Sequence, residues 1–374
     1  MPEVIRRSGN YKDITKNKYK SRLYDVSEEK SIVQTPMKYR EDVSYKYNQP
    51  TTSLFYDNYV SPSCDFLVMY FPTWVTPNLI TLCGLLLVGS AGIIVYTSEN
   101  ITFSFVIASI MWSIYGIIDN LDGKQARRLG ILSCSGELID HAVDSIVSSI
   151  VGLIFQKLTN CFFQNTNIFV ISYQLPFYFA CWYHYVHGKL IIGNSINTKP
   201  ILTVDELNIV IVPFLILLQY ICPNIWDIQF PFIYFNLNSG RTFCYICTIF
   251  SIISLSIWLY NELHRGNKFS NLLFIPIILY LLTKYIWNIP ISTLVLPFSS
   301  LCVLFIFLKL SKFIERQPLL SLILLSLSPV ILVISTSYLI SMTSSLYITI
   351  SIQLFIWFLL LYCYMNYLYS LEET

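Results

Sequence analysis

One window of the chain gathers the side chains able to do chemistry. Residues 119–144 read DNLDGKQARRLGILSCSGELIDHAVD, with five acids, three bases and a histidine set between apolar runs. Ionisable residues at membrane depth cost a few kcal/mol each, so such a cluster marks a functional site by default. Asp119 and Asp122 stand three residues apart, and Asp140 and Asp144 four apart, so each pair shares a helix face. At roughly 100° per residue, Glu137, Asp140, His141 and Asp144 fall within an arc of about 100°. Two such faces set opposite each other form a pocket of four carboxylates, whose mutual repulsion calls for cations. Oxygen-only ligands favour hard divalent ions, Mg²⁺ or Mn²⁺. Gly123, Ala126 and Gly136 are small enough to let a ligand approach the backbone, and Arg127 offers a planar fork suited to phosphate oxygens. Two metal ions, an arginine and a small-residue floor point to a phosphate or pyrophosphate substrate and metal-assisted displacement. Solvated charges on a cytosolic loop would account for Lys124 and Arg128. They account poorly for Glu137, Asp140, His141 and Asp144, which open an apolar helix.

The elements that must position these groups are set by composition. Of 374 residues, 55% are apolar and 12% charged, about half the charge of an ordinary soluble domain. Residues 1–50 alone hold 11 Lys/Arg and 7 Asp/Glu. The remainder cannot cover a globule with polar surface but can face lipid, which predicts an all-α, polytopic membrane protein. Ten apolar segments approach the length of roughly 20 residues that spans a bilayer: 77–97, 101–119, 136–157, 166–187, 204–221, 241–260, 271–287, 290–308, 318–340 and 346–368. The expected organisation is a mostly disordered cytosolic tail (1–50), an interfacial amphipathic helix (51–73), a catalytic core (74–200) and C-terminal membrane helices (201–374). The first apolar span follows some seventy polar and mixed residues, so a cytosolic tail rather than a secretory signal is expected.

Topology follows from the basic residues. With the tail in the cytosol, 21 of 24 Lys/Arg fall on that side, and only Lys157, Arg241 and Lys284 fall opposite. This asymmetry places both termini, and a pocket at the cytosolic ends of the first helices, in the cytosol. A net charge of +2 without a basic stripe excludes a nucleic-acid partner. Cys244 and Cys247 form a CxxC with no second pair, which reads as helix packing rather than zinc.

The pattern Asp119-x2-Asp122-Gly123-x2-Ala126-Arg127-x8-Gly136-x3-Asp140-x3-Asp144 resembles the signature of the CDP-alcohol phosphotransferases. The wording DNLDGKQARR, GELIDH and the preceding WVTPNLIT (Trp74 to Thr81) is similar to the eukaryotic choline/ethanolamine branch. The resemblance implies transfer of phosphocholine or phosphoethanolamine from CDP-choline or CDP-ethanolamine to diacylglycerol, with release of CMP. It implies Asp119, Asp122, Asp140 and Asp144 as ligands of Mg²⁺ or Mn²⁺. It assigns Asp122, Gly123, Ala126, Arg127 and Gly136 to the CDP pocket, and Glu137 with His141 to proton abstraction. An endoplasmic reticulum or Golgi membrane and a homodimer are further expectations of that branch.

The chain departs from the family at Ala142, where glycine is usual, and at Tyr183 and His184, where two glutamates often stand. Asn197-Thr198-Lys199-Pro200 replaces an Asn-Gly-Pro motif, and Asp205-Glu206 follow. Three other readings compete. A CDP-diacylglycerol-dependent enzyme using a soluble alcohol such as inositol is disfavoured by Glu137, His141 and the number of spans. A membrane ion or solute transporter would spread its acids over several spans, whereas the later spans here carry few charges. A catalytically dead paralogue would not keep the full acid set.

Overall fold

The computed structural model describes residues 52–159, 167–188, 190, 200, 203–230, 237–264, 295–313 and 346–372. The expected tail and the spans 271–287 and 318–340 lie outside the described residues. A π-helical turn, Tyr56–Val60, leads into α1 (Ser61–Val68). The long helices follow: α2 (Pro77–Thr97), α3 (Ile101–Leu129), α4 (Cys134–Leu158) and α5 (Asn167–His187). Next come α6 (Val204–Ile221), α7 (Ser239–His264), α8 (Val295–Phe313) and α9 (Leu346–Glu372). A two-residue antiparallel pair, β1 (Gln229–Phe230) with β2 (Leu237–Asn238), closes the turn before α7. Five of the described helices (α2, α3, α4, α6 and α7) are long and apolar enough to cross a membrane. The architecture is that of an all-α, polytopic membrane protein.

Local chemistry sets the helix ends around the site. Thr76 caps α2, its side chain accepting from the Leu79 amide, with Pro77 in the first turn where no donor is needed. Asn100 caps α3 by accepting from Phe103 N at 3.1 Å. At the other end Gly130 takes the left-handed conformation (φ 67°), and the Ile131 amide returns to the Ala126 carbonyl. Ser133 then caps α4 by accepting from Gly136 N at 3.1 Å. The α3–α4 connection is thereby a tight turn between the two acid-bearing helices, and α2 packs against both of them.

Helix α4 is the axis of the bundle: 72% of its apolar window is buried, against 11% for α7. One apolar cluster joins Leu138 and Ala142 of α4 to Trp182 of α5, Leu301 and Cys302 of α8, and Trp357 of α9. A second joins Val143 and Val147 on its other side to Val88 of α2, Trp112 of α3 and Ile216 of α6. Within α6 the π-helical turn Leu207–Ile211 precedes Pro213. A wider turn there accommodates a ring that would otherwise clash with the preceding carbonyls.

The apolar segment expected at 101–119 lies within a longer helix, because α3 continues unbroken to Leu129. Its 29 residues make a rod roughly 43 Å long, against roughly 30 Å of hydrocarbon. Asp119 therefore sits about one bilayer thickness from Ile101, and the last turns project beyond it. Nor do Lys124 and Arg128 belong to a solvated loop. Lys124 is buried, pairing with Asp65 Oδ1 at 2.6 Å and Ser61 Oγ at 2.9 Å on α1. Arg128 donates to the Val68 and Phe71 carbonyls, both at 2.7 Å, and Gln125 to those of Pro72 and Val75. Val60, Cys64 and Val68 complete the latch against Ile80 and Leu121.

At Gly116, α3 and α6 approach closely. A Cβ there would meet Ile209 Cγ1 at 2.8 Å and the backbone of Asn208 and Ile209 at 3.0 Å. Gly116→Ala is expected to cost about 1–3 kcal/mol through overpacking, seen as a lower thermal midpoint in detergent. An unchanged midpoint would mean that the helices part freely.

Candidate active site

Helices α3 and α4 bring Asp119, Asp140 and Asp144 together, with carboxylate oxygens all within 4.8 Å of one another and each residue partly buried. The Tyr115 hydroxyl lies 3.1 Å from Asp119 Oδ1 and 3.2 Å from Asp144 Oδ1, donating to one at a time and tying the two helices. Tyr115 was not singled out in the sequence, although it stands four residues before Asp119 on the same helix face, a spacing that could have found it.

Asp122, the fourth expected member, is not part of this trio. Its Oδ2 accepts from Thr81 Oγ1 of α2 at 2.5 Å, and the residue is 5% exposed. The small residues have different surroundings. The Arg127 guanidinium passes over Gly123, about 3.6 Å from where a Cβ would stand. Arg127 is exposed and makes no ion pair among the described residues. Ala126 is buried at the α3–α1 latch, and Gly136 lies beside Ser133 and Asn78.

The later acids have separate fates. Asp205 comes to the flank of the trio, where Asn120 Nδ2 donates to its Oδ1 at 2.9 Å and Thr203 Oγ1 to its Oδ2 at 3.1 Å. Glu206 closes a capping box with Thr203 and accepts from Ser53. It therefore acts as a buried anchor for the segment before α1.

A second polar cluster lies one turn along α4. The His141 Nδ1–H donates to the Glu137 backbone carbonyl at 2.8 Å, which leaves Nε2 with the lone pair. The Glu137 carboxylate takes another direction: Oε1 accepts from Lys309 Nζ of α8 at 2.6 Å and lies 3.7 Å from His184 Nε2 of α5. The His141 ring is thus oriented by a backbone contact, since the i+4 ring reaches the carbonyl of its own turn. Glu137, His141 and His184 each offer a ligand atom within 4.8 Å of the others, and all three are buried. Neither His184 nor Lys309 was placed at the site by the sequence. Nearby, His187 Nε2 meets Glu262 Oε2 at 2.8 Å, fastening α5 to α7. Cys244 is buried, with its sulfur 3.4 Å from Thr159 Oγ1, in keeping with a packing role.

Three carboxylates crowded at the membrane boundary fit a hard divalent cation. The donor set is all oxygen, and Lys124 and Lys309 are engaged by Asp65 and Glu137 instead. Comparison with known proteins agrees with this chemistry. Residues 74–226, which include α2 to α6 and every acid of the site, match the family described as CDP-alcohol phosphatidyltransferase. This part of the chain is thus similar to the CDP-alcohol phosphatidyltransferases, and its helices α2, α3, α4 and α6 are long and apolar enough to cross a membrane. Among curated relatives, the chain is 30% identical over 212 residues to cholinephosphotransferase 1 of Danio rerio, covering 52% of this chain and 51% of that protein. It is 30% identical over 154 residues to choline/ethanolaminephosphotransferase 1 of Arabidopsis thaliana, covering 40% and 39% respectively. For cholinephosphotransferase 1 of Homo sapiens the identity is 28% over 209 residues, covering 54% and 49%. The chain thus spans about half the length, or less, of these relatives.

Proposed function

We propose that the protein transfers phosphocholine or phosphoethanolamine from the corresponding CDP-alcohol to diacylglycerol, releasing CMP. The observation that carries this reading is the convergence of Asp119, Asp140 and Asp144 beside the buried His141. Asp119, Asp140 and Asp144 would hold a Mg²⁺ or Mn²⁺ ion, with Asp122 one turn away. Such an ion, when bound, neutralises and polarises the pyrophosphate. Arg127, free above Gly123, faces the nucleotide's phosphate oxygens, and Gly136 leaves the mouth of α4 open. The diacylglycerol hydroxyl attacks the alcohol-bearing phosphorus. The bond to the bridging oxygen breaks, CMP leaves with the electron pair, and the hydroxyl proton passes to His141 Nε2. The membrane boundary at Asp119 suits one lipid substrate and one water-soluble one. The proposed core, 74–200, is completed from beyond its end by α6 and α8.

Purified protein offered CDP-choline and CDP-ethanolamine in competition, with diacylglycerol and Mg²⁺, tests the reading. Labelled phosphatidylcholine or phosphatidylethanolamine is expected. Label appearing only with CDP-diacylglycerol and inositol would shift the assignment to the phosphatidyltransferases.

Orientation belongs to the same proposal: both termini and the site face the cytosol of an endoplasmic reticulum membrane. Protease added to sealed microsomes is expected to remove an epitope on the tail without detergent. Protection of that epitope would invert the arrangement and separate the site from its soluble substrate.

A further inference from the structure

The proton-abstracting pair lies within the family-matched residues 74–226, but the charge that steadies it comes from outside. Glu137 belongs to the first turn of α4, with its side chain only 3% exposed. A carboxylate there is costly unless paired. Lys309, on α8 and 172 residues away, supplies the partner at 2.6 Å through Oε1. The other oxygen, Oε2, is buried with no hydrogen-bond partner among the described residues, and so is His184 Nδ1. A single lysine thus holds one oxygen of Glu137 and leaves the second without a partner among the described residues, while the Glu137 carboxylate, His141 and His184 offer ligand atoms within 4.8 Å of one another.

The pairing is built into the helix register. Further along α4, Ser145 meets Ser299 of α8, and Trp357 Nε1 of α9 donates to the same Ser299 Oγ at 3.1 Å. From that contact to Glu137 is eight residues back along α4, and to Lys309 ten residues forward along α8. These are antiparallel distances of about 12 and 15 Å. The long lysine side chain absorbs the difference. Glu137, His141 and His184 could by donor type hold a borderline metal ion, but the ammonium already compensates the single negative charge, so the cluster reads as a braced carboxylate.

We propose that Lys309 is a positioning residue, which fixes the Glu137 carboxylate so that its free oxygen faces the proton-transfer space of His141. This rests on the proposed function, in which His141 takes the acceptor's proton. Glu137 Oε2 is then the group placed to receive a hydrogen bond as positive charge builds on the ring. A helix outside residues 74–226 thereby completes the reacting centre.

The test is a kinetic cycle on purified full-length protein: wild type, Lys309→Met, Lys309→Arg, Glu137→Gln, and Lys309→Met with Glu137→Gln. Lys309→Met is expected to lose about 10²-fold in kcat, the scale set by misplacing a reacting group by about 1 Å, with KM for the CDP-alcohol unchanged. Lys309→Arg is expected to restore most of that loss. Lys309→Met is expected to cost little once Glu137 is already Gln, because the two act as one unit. Wild-type turnover with an unimpaired Lys309→Met, or a full loss that persists in the Glu137→Gln background, would overturn the inference alone. A raised KM with unchanged kcat would do the same. Wild-type protein inactive with both CDP-alcohols would overturn the proposed function, and this inference with it.

Discussion

Replacing Asp119, Asp140 or Asp144 by Asn is expected to lower turnover by about 10³-fold or more, while the protein folds and inserts normally. The three carboxylate oxygens lie within 4.8 Å of one another, so each variant removes one anionic ligand from a single cation site. Losing several kcal/mol of charge stabilisation in the transition state corresponds to a loss on that scale. The same geometry predicts a counter-effect on stability. Without a bound cation the carboxylates repel one another across α3 and α4, and each amide relieves that repulsion. In chelator, the thermal midpoint of each Asn variant is therefore expected to equal or exceed that of the wild type. Loss of activity with a retained or raised midpoint separates a ligand role from a packing role. Full activity of the wild type in excess EDTA would overturn the metal assignment. Tyr115 provides an internal comparison. Tyr115→Phe removes one hydroxyl, 3.1 Å and 3.2 Å from two of these carboxylates, and leaves all three charges, so its loss should be far smaller.

How much of this was legible in the sequence depended on how local each interaction is. Asp140 and Asp144, four residues apart, lie on one helix and meet as their spacing required, whereas the Gly130 stop and the Ser133 cap in the same window were not singled out in the sequence. Lys124 and Arg128 resemble solvated loop charges when read locally, but α3 carries both. They are helical because Lys124 and Arg128 find Asp65 and the carbonyls of Val68 and Phe71, about sixty residues earlier. Nothing in the local pattern announces such a partner. The divergence of Asp122 from the trio likewise depends on Thr81 of another helix. Lys309 counted only as one basic residue in a topology argument, and its pairing with Glu137 emerges once α8 is laid antiparallel to α4. His184 was visible only as a departure from the family pattern, and the fold turns that departure into a contact with Glu137 at 3.7 Å. The spans expected at 166–187, 290–308 and 346–368 correspond to α5, α8 and α9. The length of the apolar runs located these helices, whereas their mutual registry was set by distant side chains.

His141→Ala is expected to lower kcat by about 10²–10⁴-fold, the contribution typical of a positioned base, with CDP-alcohol binding preserved. A diacylglycerol hydroxyl is a weak nucleophile that must shed its proton as it attacks, and the aspartates, engaged in metal binding, make poor acceptors. His141 is 2% exposed, and its Nδ1–H is pinned to the Glu137 carbonyl at 2.8 Å. The lone pair is thus assigned to Nε2, and the ring has little freedom to turn away. The competing role is structural, in which the ring only fills space between α4 and α5, where it lies 5.7 Å from the His184 ring. His141→Asn and His141→Phe separate the two. The amide retains polarity without an imidazole base, and the phenyl ring retains volume without a nitrogen. If His141 accepts the proton, both variants fall as far as alanine while still binding labelled CDP-choline. If the ring merely packs, phenylalanine restores most of the activity, and the proton acceptor must be sought elsewhere. Glu137→Gln keeps the backbone carbonyl that holds His141, so it is expected to lose less than His141→Ala, and a greater loss would make the carboxylate itself the base.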